Sequence, residues 1–486
     1  MNTPLEHYWQ NFIDGSYCDG GAGRIDVINP STGAKLAEHA LADGADVNRA
    51  VEAARRVYLT GDIRDLRPVE RGRMVQQMGQ YLFKHSNEIA RIISLEQGKP
   101  LFEAKFEVGL AARSFEYHGN QAATLEGSSV PLGKAYFDFT INEPYGVSAQ
   151  IIPCHYPVYL AARSLSVGLA TGNSCVVKTP EMTPLSSMCF ARAAEAAGLP
   201  AGAVNILCGI GQDAGTALTT HANVNQIVFS GNVKTGLKIA AAAAQNIVPC
   251  VLELGGNSPT IVYEDADLDA FEKHGRLGCF WNAGQYCAAI SRVIVHESRY
   301  DELVERAANI AKSLTVGPGI EGIEFGPYMG SMDSNAQCEK VENMILEAQA
   351  QGATLITGGH KMNRPGAFMQ PTVLSNVSSH MRIAQEEVFG PVMTILRFHE
   401  EAEAFQIAND TPYSGVFGAV FTRSIERATR AAHTIRACHI VLNESVIGGV
   451  ETPFGGGFGK SGYGRVKGRA ALWDYVQTKN IIIPMG

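Results

Sequence analysis

The sequence predicts an α/β protein with two doubly wound parallel-sheet domains and a small β arm. Three observations predict it. The chain has 486 residues, too many for one ordinary core. From about residue 145, short apolar runs alternate with helical patterns. Those runs lack the polar–apolar alternation of a half-exposed strand, so they suit parallel strands covered on both faces.

The first series reads strand 147–153, helix 157–171, strand 174–178, helix 185–197, strand 203–207, helix 213–220, strand 226–230, helix 233–245 and strand 248–254. Residues 47–57, 69–97 and 101–121 read as amphipathic helices that cover this sheet. A second series starts at 258–263 and continues through helix 267–280, strand 293–296, helix 299–313 and helix 335–350 to about 445. The segment KAYFDFTINEP (134–144) and the strand-like KNIIIPMG (479–486) fit neither series. They are assigned to an arm that pairs with another subunit, with ordinary edge strands as the alternative. The expected division is 1–122 with 145–255, then 256–469, then the arm 123–144 with 470–486.

Composition excludes several classes of function. Hydrophobic residues make up 45% and charged residues 18%, as in compact globular proteins. The net charge is −8 and there is no basic block, so no nucleic-acid partner is expected. No apolar run reaches the roughly 18 to 20 residues of a membrane span, and the N-terminal segment has no signal-peptide core. Ten cysteines are scattered without zinc-type spacing, so no metal is expected and a reducing, cytoplasmic setting follows.

Chemistry concentrates in two segments. In FWNAGQYCAAISR (280–292), Cys287 follows a Gly-Gln turn, and Ala288 and Ala289 leave room beside the sulfur. An exposed thiolate at a loop–helix junction is a good nucleophile, and neighbouring N–H groups lower its pKa. A buried structural cysteine is the alternative. In LELGGNSP (252–259), Glu253 ends an apolar strand. A carboxylate there is costly unless it works or is paired, and a raised pKa would suit a general base. Satisfaction by local backbone donors is the alternative.

These two segments resemble the aldehyde dehydrogenase superfamily, and the likeness spans essentially the whole chain. Glu253 falls in the family's E-L-G-G-x-x-P motif and Cys287 in its F-x-x-x-G-Q-x-C motif, 34 positions downstream. The resemblance implies a Rossmann-like cofactor domain, a catalytic domain and assembly as a homodimer or homotetramer. It implies oxidation of a small-molecule aldehyde with NAD, NADP being also admitted. VVKTPEMTP (176–184) resembles the segment that holds the adenosine ribose, through Lys178 and Glu181. A carboxylate at Glu181 would repel a 2′-phosphate and favour NAD; a solvated loop charge is the alternative. FSGNVKTG (229–236) resembles the phosphate-binding turn, with Ser230 and Gly231 opening a helix and Asn232 in place of the usual serine. EEVFGPV (386–392) places Glu387 at the nicotinamide ribose and Phe389 near the ring. Ile151, Ile152, Pro153, Gly211, Phe229 and Leu254 complete the implied cofactor surroundings. PFGGGFGKSGYGR (453–465) resembles the C-terminal segment at the substrate mouth.

One motif departs from the family. The usual I-P-W-N-[FY]-P is here IIPCHYP (151–157), so His155 replaces the oxyanion-binding asparagine and Cys154 the tryptophan. A histidine N–H can donate to an oxyanion, and its charge would depend on pH near neutrality. Three readings compete. His155 replaces the amide as donor; it also pairs with the Cys287 thiolate; or the change cripples oxidation. A Cys154–His155 metal pair lacks further ligands. A Cys–His thiol hydrolase or esterase, and a weakly active NAD-binding protein, are the alternatives of other class. Glu253 favours hydrolysis of a thioester over acyl transfer to coenzyme A. Arg163, eight positions after His155, would pair with the carboxylate of a semialdehyde acid or make a surface or interdomain salt bridge. Tyr156, Tyr159, Trp281 and Tyr286 are tunnel candidates that would equally suit an aromatic aldehyde.

Overall fold

The computed structural model describes residues 5–445 and 448–485. Five parallel strands form the centre of the first sheet, in the order Cys250–Leu254, Gln226–Gly231, Val147–Ile151, Ser174–Thr179 and Val204–Cys208. The chain builds outward from Val147–Ile151 on one side, then returns to its other side at Gln226–Gly231. That reversal opens a crevice at the carboxyl ends of these two strands, where open α/β sheets bind ligands.

Both edges of this sheet are antiparallel. The hairpin Asn11–Ile13 and Ser16–Cys18 caps one edge. Its two-residue loop is Asp14-Gly15, with φ of 53° and 73°, the left-handed pair that a tight hairpin turn demands. The other edge is Gly462–Tyr463, with Gly462 opposite Glu253. The C-terminal segment thus crosses back onto the first sheet from the stretch 256–469.

The second sheet runs Thr354–Thr357, Thr372–Ser375, Val392–Phe398, Arg292–His296, Pro259–Val262, Tyr413–Phe421 and Ala437–Leu442. Its strands are parallel except for antiparallel Thr354–Thr357 at one edge. Tyr136–Pro144 and Val476–Pro484 pair antiparallel along their whole length, and Ser129–Val130 flanks them. The two segments that fit neither parallel series therefore join each other.

Several helices differ in extent from the sequence pattern. The stretch 69–97 is two helices, Pro68–Lys84 and Ser86–Gln97, broken at His85. The stretch 185–197 shortens to Cys189–Ala196 behind a 3-10 turn, and 213–220 to Thr216–Thr219 behind a π-turn.

The helix Pro157–Thr171 is buried at every position. Pro157 at its first turn and Gly172, in the left-handed conformation after its last, set its limits. Against it packs the helix Leu101–Gln121, which brings charges into the core. Lys99 and Glu107 form an ion pair at 2.6 Å with both side chains fully buried. The pair is satisfied further: Lys99 donates to the carbonyl of His155, and Glu107 accepts from the backbone N–H groups of Val158 and Tyr159.

Breaking one half of such a pair strands a buried charge and costs about 3 to 5 kcal/mol, whereas replacing both halves by apolar groups is close to neutral. Glu107→Leu is therefore expected to lower stability by that amount in urea unfolding. Lys99→Met with Glu107→Leu is expected to regain most of it.

Candidate active site

Cys287 lies half-buried in a turn between a short 3-10 segment, Trp281–Gly284, and the strand Arg292–His296. No helix follows it, contrary to the loop–helix junction expected. The turn is shaped by three consecutive left-handed residues, Asn282, Ala283 and Gly284. Gly284 has no alternative, since a Cβ there would lie 2.1 Å from the carbonyl oxygen of Gly390. Asn282 anchors the turn: its N–H donates to buried Glu103, and its amide donates to the carbonyls of His155 and Gln285.

The Cys287 thiol is not lowered but pushed up to about 12. Burial is the main cause, and the Glu253 charge adds to it, while Arg163 opposes it. The sequence expectation of an exposed, acidic thiol fails because the site is enclosed.

Glu253 ends its strand paired with Arg163 through Oε2, and the Ser230 hydroxyl donates to the same oxygen at 2.7 Å. Side-chain donors satisfy this carboxylate. Arg163 makes a salt bridge, but a buried one within the stretch 145–255 rather than the surface or interdomain bridge expected, and its partner is the expected base. Ser230 and Gly231 end the strand Gln226–Gly231 rather than open a helix. Asn232 is the helix cap, its side chain accepting from the Thr235 N–H.

His155 is buried and its ring lies edge-on to Tyr156 and Phe389, with centroids 5.7 and 5.2 Å away. Burial, with the Lys99 and Arg163 charges, lowers its pKa to about 3. The ring is therefore neutral throughout the physiological range, not poised near neutrality. Among the described residues neither ring nitrogen has a hydrogen-bond partner, and none joins His155 to Cys287. Cys154 instead faces Asp333, at 3.4 Å.

Two cavities meet at this point, and Cys287, His155, Leu160 and Arg163 line both. The larger, about 620 Å³, is a mostly aromatic tunnel. The expected Tyr156, Tyr159, Trp281 and Tyr286 all face it. Trp281 donates to the Tyr156 hydroxyl at 2.8 Å, and the Tyr286 hydroxyl is tied to the carbonyl of Gly278. Phe454, from the segment 453–465 expected at the substrate mouth, faces the tunnel too, whereas sequence reasoning missed Phe102 and Phe106, whose rings each lie 5.7 Å from that of Trp281, and Phe325. The helix pattern 101–121 held the first two as ordinary amphipathic positions.

The smaller cavity, about 270 Å³, opens at the crevice of the first sheet. Pro153, Ser230, Gly231, Leu254, Glu387 and Phe389 line it. Ile151, Ile152 and Phe229 lie behind it in the core. Lys178, Glu181 and Gly211 do not line it; they sit at the ends of the next two strands or just beyond. Lys178 is buried and reaches half-exposed Glu181 at 3.2 Å.

Comparison with known proteins shows the family of the chain. The aldehyde dehydrogenase family model matches residues 17–481. The chain belongs to the aldehyde dehydrogenase family. This aldehyde dehydrogenase is 38% identical to the Arabidopsis thaliana mitochondrial aldehyde dehydrogenase family 2 member B4, over 97% of the chain and 88% of the relative. It is 37% identical to the mitochondrial benzaldehyde dehydrogenase of Antirrhinum majus, over 98% and 89%. The solved NAD-dependent aldehyde dehydrogenase of Sinorhizobium meliloti superposes with a TM-score of 0.96 at 33% identity, covering 99% and 96%.

The residues present fit a dinucleotide. Glu387 carries a buried oxygen, Oε1, with no partner, as a group awaiting a ligand hydroxyl would. Its other oxygen leaves no room at Gly255, where a Cβ would lie 2.0 Å away. Burial raises the Glu387 carboxyl to about 7, against the opposing Lys340 charge and Gly256 N–H.

Glu103 offers a check on the scaffold that needs no substrate. Burial raises its carboxyl to about 8, so the folded state keeps a proton that the unfolded chain releases from about pH 4.3. Stability from this group is full below the unfolded value and declines as pH rises towards 8. Glu103→Gln, which retains an acceptor for Asn282, should therefore narrow the stability difference between pH 5 and pH 8 in urea unfolding. An unchanged difference would contradict the assignment.

Proposed function

We propose that the chain oxidises an uncharged aromatic aldehyde to its acid with NAD, through a thioester on Cys287. One observation carries this reading: Cys287 sits where an aromatic tunnel meets a cavity fitted for a dinucleotide, with Glu253 paired in the same wall.

The aldehyde enters along Trp281, Tyr286 and the phenylalanines, and the Cys287 thiolate attacks its carbonyl carbon. The oxyanion is held by the Cys287 N–H and the neutral His155 ring N–H, which no protein group occupies. NAD, held in the smaller cavity by Glu387 and beside Phe389, would supply the hydride acceptor for this oxidation. Glu253 then takes a proton from water, and the acid leaves. Lys178 and Glu181 would hold the adenosine ribose, Gly211 would border that end, and Glu387 would hold the other ribose. Glu181 favours NAD over NADP through its charge, and the Sinorhizobium meliloti relative is described as NAD-dependent.

Arg163 supports the uncharged class, and the other cation of the tunnel wall, Lys105, is exposed. The Arg163 charge is already matched by Glu253, so a semialdehyde acid would have to displace the base to be bound. The rings of the tunnel suit an aromatic guest, and the Antirrhinum majus relative is a benzaldehyde dehydrogenase. A Cys–His hydrolase is disfavoured by the unpaired, neutral His155. The ten free thiols support a cytoplasmic setting. The arm, with exposed Tyr136, Phe137, Ile482 and Ile483, supports assembly into a dimer or tetramer. No helix among the described residues is long and apolar enough to cross a membrane.

Cys287→Ala is expected to abolish NADH formation; retained turnover would remove the thiol from the mechanism. Benzaldehyde-type substrates should exceed semialdehyde acids in kcat/KM, and the reverse order would reject the uncharged class. His155→Ala should lower kcat by about 10²- to 10³-fold, the usual cost of an oxyanion donor, and His155→Asn should recover much of it. Equal activity of both variants with wild type would exclude His155 as donor.

A further inference from the structure

Arg163 is the only charged residue on the otherwise uncharged, buried helix Pro157–Thr171. Burying a guanidinium there is costly, and its pairing must repay that cost. Its partner is Glu253, at Oε2, which also receives the Ser230 hydroxyl. Both donors converge on one oxygen. The other, Oε1, faces Gly455, where a Cβ would stand 3.1 Å away. The guanidinium is flanked by the rings of Tyr159 and Phe454, at 5.2 and 5.7 Å, and it lines both cavities beside Cys287.

We propose that Arg163 is a positioning residue with two tasks. It fixes Glu253 by Oε2 so that Oε1 is the oxygen presented to water, and it supplies the positive charge against which the Cys287 thiolate forms. The proposal rests on the reading of Cys287 as nucleophile and Glu253 as base.

The surroundings make the second task necessary. Cys287 shares the smaller cavity with the carboxylates Glu253 and Glu387 and with Lys340, and the charges of both carboxylates and of Cys438 oppose its ionisation. Tyr159, Tyr475 and Lys467 face the Arg163–Glu253 pair, and His155 beside it is neutral. Two carboxylates against one enclosed thiol would suppress ionisation. Arg163 both neutralises one of them and attracts the thiolate directly.

The test reads the thiol without any aldehyde. Alkylation of Cys287 by iodoacetamide is followed across pH by mass spectrometry of its peptide, in wild type, Arg163→Gln and Arg163→Lys. Arg163→Gln is expected to slow labelling at pH 8 about tenfold, because less thiolate forms without the neighbouring cation. It should also lower kcat. Arg163→Lys keeps the charge but not the fork, so the labelling rate should stay near wild type while kcat falls.

A labelling rate at pH 8 unchanged in Arg163→Gln would overturn the proposal and leave Arg163 a structural residue. So would tenfold slower labelling in Arg163→Lys, which is read against wild type alone and keeps the question answerable if the glutamine protein does not fold. Retained NADH formation by Cys287→Ala would instead remove the nucleophile assignment on which the proposal rests.

Discussion

The buried ion pair of Lys99 and Glu107 is the constraint on which the site depends. Both charges are fully enclosed, so every donor and acceptor on them must be answered. The answers are the two catalytic loops. Lys99 holds the carbonyl of His155, and Glu107 holds the first N–H groups of the helix that follows. One helical turn along from Lys99, Glu103 holds the N–H of Asn282 at the start of the Cys287 turn. Asn282 closes the circuit by donating to the same His155 carbonyl. Two loops 127 positions apart in the chain thus share one polar anchor, and the spacing between Cys287 and His155 is set by charges outside the cavities.

The charges nearer the reaction follow a second logic. Cys287, Glu253 and His155 are each enclosed, and enclosure disfavours charge on any of them. His155 responds by staying neutral, which leaves its N–H a plain donor. Glu253 responds by pairing with Arg163. Cys287 has no partner of its own, so its ionisation depends on that neighbouring pair. The substitution at His155 and the arginine one helix face away are therefore parts of one electrostatic arrangement.

The repeating strand–helix order was legible because parallel strands buried on both faces are apolar throughout, as in Cys175–Val177 or Val293–Val295. The helices 101–121, 157–171, 233–245 and 335–350 have the bounds their patterns predict. The N-terminal hairpin was not read, although Asp14-Gly15 is a strong turn signal, because its strands are only three residues each. Cys287 and Glu253 were found by motif. Their environment was not, since burial and the Arg163 contact join residues 90 positions apart. Glu103 and Glu107 fell in the amphipathic pattern 101–121 and Lys99 between two helical patterns, and only packing reveals that all three are inside.

The pairing of Gly462 with Glu253 has a consequence for how the protein is made. The edge of the first sheet, and the arm strand Val476–Pro484 that closes on Tyr136–Pro144, come from the far end of the chain. During synthesis the earlier residues can collapse around their helices while the tunnel still lacks a wall. A nascent chain halted before residue 462 would leave Glu253 without its covering strand and the arm without its partner. The sheet edge over Glu253 and the arm are therefore completed only once residues from 462 onward are in place.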